Sequence, residues 1–492
     1  MSHTALLEAL SHQRTNDRVA IQLEDGSALT YRALCAGVDT AIGMLSKLEL
    51  QRGDVLAIQA TRGIPLITTI LGALQSGVTV LPLNVQYTAS ELRFFIKDAS
   101  AKVVILQPQH LTELADTAPV LLDATALPRL LNAATPHRIP TPTTNTLAFI
   151  IYTSGTTGRP KGAMIRHGNL DATVLALHTA WGWQPNDRLL HVLPLTHIHG
   201  LFVALFGALY AGATVFLAMK FDPHKALTAI ETHKITMFMG VPTHYHRLLG
   251  ATARPDLSTM RLFTSGSAPL PAKAHADFSD QFGHMILERY GMTEVGIVLS
   301  NALTSKRIAG SVGKPLPGVT VRIVDKLGKI VPDGQVGQLQ IRGASVIDGY
   351  LGLPDATAKA IVDGWMNSGD LATQEKGIYR IVGRATDMVI SGGLNVYPRE
   401  IETSLLRLPE VAEAAVVGFP DSDFGERVVA FVVATPGTVL DSSAIFSHIK
   451  NNLAPHKRPK AVYRLKEFPR NTMGKVKKNA LRALSHNPPL SL

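Results

Sequence analysis

A pattern that occurs twice sets the strongest limit on the fold. Ile70-Leu71-Gly72-Ala73-Leu74-Gln75-Ser76-Gly77-Val78-Thr79-Val80-Leu81 and Leu205-Phe206-Gly207-Ala208-Leu209-Tyr210-Ala211-Gly212-Ala213-Thr214-Val215-Phe216 carry apolar residues and glycines at matching places. An apolar helix that stops at glycine and runs at once into a short β-rich segment is a helix–strand unit. The second copy sits within residues 201–219, a stretch apolar and long enough to suggest a bilayer span. Its glycines argue otherwise, and the first copy continues into Pro82 and Asn84, which a spanning helix carries poorly. The reading is a helix over 201–210, a turn at Gly212 and a strand over 214–217. No integral membrane span is expected, and the repeat implies two similarly built α/β subdomains.

The surroundings agree. Helices are expected over 29–45 and 91–98 and strands over 55–59 and 102–106, an alternation that produces a mostly parallel sheet. Residues 134–146, rich in proline and threonine, read as a surface connection into an apolar strand over 147–151. A chain of 492 residues is long enough for more than one domain. Its one cysteine, Cys35, excludes an intramolecular disulfide and a cysteine-built metal site, and suits a reducing cytoplasm. The first residues lack the basic start and apolar core of a secretory signal.

After the 147–151 strand comes Tyr152-Thr153-Ser154-Gly155-Thr156-Thr157-Gly158-Arg159-Pro160-Lys161-Gly162. A polar break at 166–169 and a helix-like segment at 170–177 follow, so the stretch reads as a strand-to-helix turn. Glycines let backbone N–H groups converge on an anion, hydroxyls add donors, and Lys161 adds charge, which together make a phosphate cradle. It is not the GxxxxGK[ST] loop of Walker-type ATPases, because Lys161 lies between Pro160 and Gly162.

This stretch resembles the phosphate loop of the adenylate-forming superfamily, which includes acyl-CoA synthetases, luciferases and peptide-synthetase adenylation domains. Nearly the whole chain follows the resemblance. It implies a large N-terminal domain (1–384) of stacked α/β subdomains with a smaller β-rich part, and a small mobile α+β C-terminal domain (385–492). It implies that Thr153, Ser154, Gly155, Thr156, Thr157, Gly158 and Lys161 hold ATP phosphates. The small-residue turn Gly266-Ser267-Ala268 then flanks adenine. In Glu288-Arg289-Tyr290-Gly291-Met292-Thr293-Glu294 the segment lines the nucleotide site, Thr293 bonds a phosphate oxygen and Glu294 is the Mg²⁺ ligand. Within Gly364-Trp365-Met366-Asn367-Ser368-Gly369-Asp370, where Ser368 replaces the usual threonine, Asp370 accepts the ribose hydroxyls, with Arg384 a further ribose or phosphate contact. Gly392 and Gly393 line the coenzyme A tunnel after domain rotation. Thr386 occupies the hinge position, where relatives carry Asp or Lys. Pro469-Arg470-Asn471-Thr472-Met473-Gly474-Lys475 matches the mobile lysine loop, so Lys475 is the implied catalytic lysine, acting with Thr153 and Glu294.

The net charge of +10 is concentrated in the tail: residues 447–482 hold eleven Lys and Arg against Glu467 alone. A solvated basic face, a nucleic-acid surface and a site for a polyanion such as ATP or coenzyme A are the three readings. No nucleic-acid motif or aromatic stacking platform accompanies the charge, so no nucleic-acid partner is expected. The substrate is implied by finer likeness. LPLTHIHGLFVAL, KFDP, GVPTHYHRLL and ERYGMTE read like malonyl-CoA synthetases. No acidic residue lies between Leu193 and Gly207 to hold an amino-acid ammonium. A second carboxylate needs a cation, and Arg247 with His197 is the pair expected to supply it, although a buried structural histidine is the plainer reading of His197. The expected activity is ATP- and CoA-dependent ligation of malonate or a close C3 dicarboxylate. A medium- or long-chain fatty acid is the alternative, favoured by the apolar run at 295–299, and an adenylate-only or non-catalytic nucleotide-binding protein comes third. Oligomeric state is not legible.

Overall fold

The computed structural model describes residues 4–153, 160–304, 307–391, 394–470 and 475–486. The phosphate-loop residues Ser154, Gly155, Thr156, Thr157 and Gly158, and the tunnel residues Gly392 and Gly393, lie outside the described residues.

The two copies of the repeat fall in two different sheets. In the first, helix Ile64–Ser76 ends at Gly77, whose φ of 70° gives a left-handed cap, and strand Thr79–Pro82 follows. That strand lies inside a six-stranded sheet ordered Val120–Asp123, Val103–Leu106, Val55–Ile58, Thr79–Pro82, Leu147–Thr153, Lys161–Arg166. The second copy feeds Thr214–Leu217 of a nine-stranded sheet, again through a left-handed glycine, Gly212 at φ 71°. Its helix is π-wound over His199–Phe206 and α-helical over Gly207–Tyr210, and residues 199–209 are buried. No helix among the described residues is long and apolar enough to cross a membrane. The apolar run is apolar because it is core.

Parallel pairing dominates both sheets, as the alternation of elements requires. In the nine-stranded sheet Arg188–His191, Met237–Gly240, Leu262–Ser265 and Ile286–Met292 run the same way. The histidine segment, the helix carrying Arg247, the Gly266–Ala268 turn and the Thr293–Glu294 pair therefore all leave the sheet at its carboxyl edge. That edge is where open α/β sheets bind ligands.

Two local expectations are corrected. The helix expected over 29–45 begins at Tyr31, because Ala28–Thr30 pairs with Val19–Leu23 and Thr30 caps the helix by accepting from the Ala33 N–H at 3.1 Å. The phosphate-loop segment is not a strand-to-helix turn. Leu147–Thr153 and Lys161–Arg166 are antiparallel neighbours, so the loop closes a hairpin and Lys161 opens a strand directly opposite Thr153. The helix starts only at His167.

An antiparallel sheet of Val319–Val324, Gly337–Gly343, Trp365–Glu375, Ile361–Val362 and Ile378–Arg384 completes the large domain. The small domain has its own sheet and its own core clusters, built from residues 389–484. Its basic tail is partly neutralised within it: Lys457 pairs with Glu400, Arg470 with Glu413, Lys478 with Glu402 and Arg482 with Asp387. Four of the tail's eleven cations are thus paired within the small domain.

Candidate active site

Glu294 is buried just past strand Ile286–Met292, and its Oε1 accepts hydrogen bonds from Thr153 Oγ1 at 3.2 Å and Tyr350 OH at 3.0 Å. Two hydroxyls on one oxygen fix the carboxylate's orientation. The Tyr350 ring also faces Lys161, whose Nζ lies 5.0 Å from the ring centroid. Tyr350 thereby ties the hairpin lysine to the buried glutamate. Sequence reasoning missed it: an aromatic after Asp348-Gly349 carries no polar neighbour to mark it as functional.

Asp370 is buried and doubly held. Its Oδ2 accepts from Tyr290 OH at 2.6 Å and its Oδ1 lies 3.3 Å from Arg384 Nε. Ser368, standing where threonine is usual, still serves: its hydroxyl donates to Leu339 O at 2.7 Å and accepts from the Asp370 N–H at 3.1 Å.

Lys475 reaches this group from the small domain. Its side chain is solvent-accessible yet crowded by protein, as in an open cleft. That crowding pushes the ammonium below its ordinary range. Arg384 and Arg289 push the same way, while Asp370 and Glu294 oppose them. Lys475 also helps hold His197 down to about 4, after burial itself. Thr153, Glu294, Asp370, Arg384, His197 and Lys475 are therefore brought to one cleft.

Arg289 is the unexpected member. Strand alternation turns it away from Glu288 and Tyr290, and its guanidinium packs on Gly266, where an added Cβ would lie 2.4 Å from Cζ. Glycine at 266 is required by that guanidinium. The next residue, Ser267, adopts φ 68°, a left-handed conformation that non-glycine residues seldom hold outside functional turns. Its Oγ lies 3.3 Å from His199 Nδ1. Arg289 is buried, and its Nε and Nη2 have no hydrogen-bond partner among the described residues. Burial pushes the guanidinium down to about 9. It also pushes His199 well below the ordinary histidine range, with Arg289 adding to it, so the imidazole beside the guanidinium is neutral. A buried cation with unused donors and a neutral imidazole next to it suits an anionic ligand group.

Arg247 lies exposed in the last turn of Pro242–Leu249, where its charge helps hold His244, half-buried on the same helix, down to about 4. Arg289, assigned with its segment to the nucleotide, packs on Gly266 and acts electrostatically on His199. The Glu288 carboxylate accepts from the Gly310 N–H at 2.6 Å, and burial lifts it to about 7. Gly291 is needed for the strand pairing itself, since a Cβ there would lie 2.1 Å from Gly296 O. Ala268, Met292 and Thr293 are partly buried and Thr386 is exposed.

Among the described residues no group of three or more His, Cys, Asp or Glu side chains is placed to hold a metal ion. Glu294 alone fits a Mg²⁺ that arrives with a nucleotide and keeps most of its waters, not a protein-built metal centre.

The chain matches the AMP-binding enzyme family over residues 8–351 and the AMP-binding enzyme C-terminal domain over residues 400–475. It belongs to the AMP-binding enzyme family. Among family members, the mitochondrial malonate–CoA ligases of Homo sapiens and Mus musculus are 37% and 36% identical to it. Those alignments cover 82% of this chain and 78% and 77% of the relatives. The crystal structure of ATP-bound MatB from Rhodopseudomonas palustris is 38% identical and superposes with a TM-score of 0.94, covering 99% of both chains. The o-succinylbenzoate–CoA synthetase of Bacillus subtilis with its acyl-adenylate intermediate is 28% identical, with a TM-score of 0.89 over 98% of each chain. This AMP-binding enzyme thus shares the large and small domain arrangement of both.

Proposed function

We propose that this chain is an AMP-forming acid–CoA ligase that converts malonate, or a close C3 dicarboxylate, ATP and coenzyme A into the acyl-CoA thioester, AMP and pyrophosphate. The malonate–CoA ligase relatives support the reaction and the substrate. The observation that carries the choice of a dicarboxylate is Arg289, a buried guanidinium with two unpartnered nitrogens beside a neutral His199. A second carboxylate satisfies those donors, whereas the tail of a fatty acid leaves them bare at a cost of several kcal/mol. The anion site is thus assigned to Arg289 with His197 and His199, in place of Arg247.

In the first half-reaction an oxygen of the substrate carboxylate attacks the α-phosphorus of ATP. The bond from that phosphorus to pyrophosphate breaks and a mixed anhydride with AMP forms. A carboxylate resists attack because its leaving group is oxide; AMP replaces it with a good one. Negative charge rises on the phosphoryl oxygens, and in this reading Lys475, Thr153 and Lys161 neutralise it. Ser154, Gly155, Thr156, Thr157, Gly158 and Thr293 complete that donor set in this reading. Mg²⁺ held by Glu294 supplies further charge neutralisation when bound. Asp370, steadied by Tyr290 and Arg384, accepts from the ribose hydroxyls, while Gly266, Ser267, Ala268, Gly291 and Met292 border the base. In the second half-reaction the coenzyme A thiolate attacks the acyl carbon and AMP leaves. The boundary we assign at 384/385 lets the small domain swivel about Thr386, withdrawing Lys475 and presenting Gly392 and Gly393 to the thiol. A reducing cytoplasm suits the lone buried thiol of Cys35.

The test is pyrophosphate and AMP release with malonate, methylmalonate, acetate, octanoate and palmitate, each with and without coenzyme A. Turnover with malonate that requires coenzyme A supports the reading. Equal turnover on octanoate refutes the dicarboxylate assignment, and full AMP release without coenzyme A refutes the ligase.

A further inference from the structure

The link between the domains is pinned on both sides, by different domains. On the large-domain side Arg384 Nε lies 3.3 Å from Asp370 Oδ1. On the small-domain side Arg482 Nη2 donates to Asp387 Oδ1 at 2.7 Å and, more weakly, to the carbonyl of Thr386 at 3.4 Å. Its Nη1 donates to Asn479 Oδ1 at 2.7 Å, which fixes the guanidinium's direction. Between the two pins lie only Ala385 and the torsions of Thr386.

Arg482 hangs from a firm support. It belongs to Lys478–Ala483, the short helix that directly follows Lys475. That helix is seated by fully buried Leu481 and by Lys478, whose Nζ is 2.7 Å from Glu402 Oε1. Glu402 is itself anchored by the Val416 N–H at 2.9 Å. One short segment therefore carries both the lysine and the grip on the interdomain link.

We infer that Arg482 is a positioning residue: by holding the Thr386 carbonyl and the Asp387 carboxylate to the lysine-bearing segment, it confines the domain swivel to Ala385 and Thr386. The inference rests on the ligase reading above. Rotation about φ and ψ of residue 386 leaves its carbonyl oxygen and everything after it in the small domain's frame. Pinning that oxygen and the next side chain thus permits the turn while forbidding bending at 387–389. Bending there would spread the swing over several residues and blur where Lys475 arrives. The link needs no charge of its own on Thr386, because Arg482 brings one to it. The ion pair is only partly buried, with side-chain exposures of 29% and 23%, so it adds little to global stability. Its effect is on geometry, where small misplacements cost much rate.

The test uses the full-length enzyme with spin labels at Leu327→Cys and Val439→Cys, both more than four-fifths exposed on opposite domains, while native Cys35 is buried. Distances between the labels are read without substrates, with ATP and malonate, and with coenzyme A added. Arg482→Ala is expected to broaden each distance distribution and to slow single-turnover adenylate formation about tenfold, with KM for ATP and malonate and the melting temperature unchanged. Arg482→Lys restores part of the rate, and Asp387→Asn combined with Arg482→Ala is no worse than Arg482→Ala alone. Unchanged distributions with unchanged rates overturn the inference, as does a rate loss matched by a loss of melting temperature. A parent enzyme that forms no adenylate from any acid overturns the ligase reading instead, and the distance distributions still judge the pin.

Discussion

Replacing Arg289 by methionine separates binding from stability. A guanidinium lowered to about 9 by burial remains charged at neutral pH at a cost of roughly 4–5 kcal/mol, at about 1.36 kcal/mol per pK unit. Methionine removes that cost while filling similar space, so Arg289→Met raises the melting temperature by a few degrees. The same change removes the proposed counter-ion of the substrate's second carboxylate. Losing one partner of a buried charge-assisted pair costs about 2–5 kcal/mol. The kcat/KM for malonate therefore falls about a hundred- to a thousandfold, while that for propionate, which lacks the second carboxylate, changes little. The assay is pyrophosphate release with each acid, beside thermal unfolding of both proteins. Equal losses on malonate and propionate would mean that Arg289 serves the nucleotide, and a loss under threefold on malonate would mean that it serves neither. The direct sign of the buried charge is pH dependence. Because the folded value is depressed, the unfolded chain holds the extra proton above about pH 9, and stability relative to Arg289→Met rises with pH there.

Tyr350→Phe keeps the ring beside Lys161 and removes the hydroxyl on Glu294; it is expected to raise the Mg²⁺ concentration for half-maximal rate and lower kcat about tenfold. Tyr350→Leu, measured in the same Mg²⁺ titration, adds a rise in KM for ATP. Lys475→Ala lowers adenylate formation by roughly two to three orders of magnitude but spares thioester formation from supplied malonyl-adenylate, read by rapid quench. Acid sensitivity follows from two buried and two half-buried imidazoles: His167, His197 and His244 are pushed down to about 4 and His191 to about 3, by desolvation first. Their folded values are depressed, so the stability they contribute is present above about 6.5 and lost as pH falls toward 4. Between pH 7 and pH 5 each accounts for about 1–2 kcal/mol of that loss. His167, with Nε2 unpartnered among the described residues, is the clean test. His167→Gln should flatten the fall of the urea midpoint between those pH values, and an unchanged slope would remove His167 from the account.

The fold was legible wherever a residue's role is set by its near neighbours. The helix–glycine–strand repeat worked because Gly77 and Gly212 both adopt a left-handed φ, a requirement written into one residue. The phosphate-loop segment misled because its neighbour is set by pairing: Lys161–Arg166 folds back on Leu147–Thr153, and no local signal in Lys161-Gly162-Ala163 distinguishes a returning strand from the approach to a helix. The π-wound turn over His199–Phe206 was likewise hidden inside an apolar run that reads as helix of any pitch. In the site, Glu294, Asp370 and Lys475 were named from the resemblance of their motifs, and the structure puts the lysine within electrostatic reach of both carboxylates.

The anion site shows where such reading stops. Arg247 and Arg289 are both arginines in motif-bearing segments, and sequence offers no reason to prefer the second. The difference is made by distant residues: Gly266 leaves room for one guanidinium, and Ser267, in its left-handed turn, bonds His199 beside it. A buried arginine with two nitrogens unpartnered among the described residues is an unstable arrangement that a fold tolerates when a ligand completes it. Arg247, exposed in a last helical turn, has no such need. If stability and malonate turnover move in opposite directions at residue 289, and neither moves at residue 247, the energetic argument for the dicarboxylate stands independently of any likeness to other proteins.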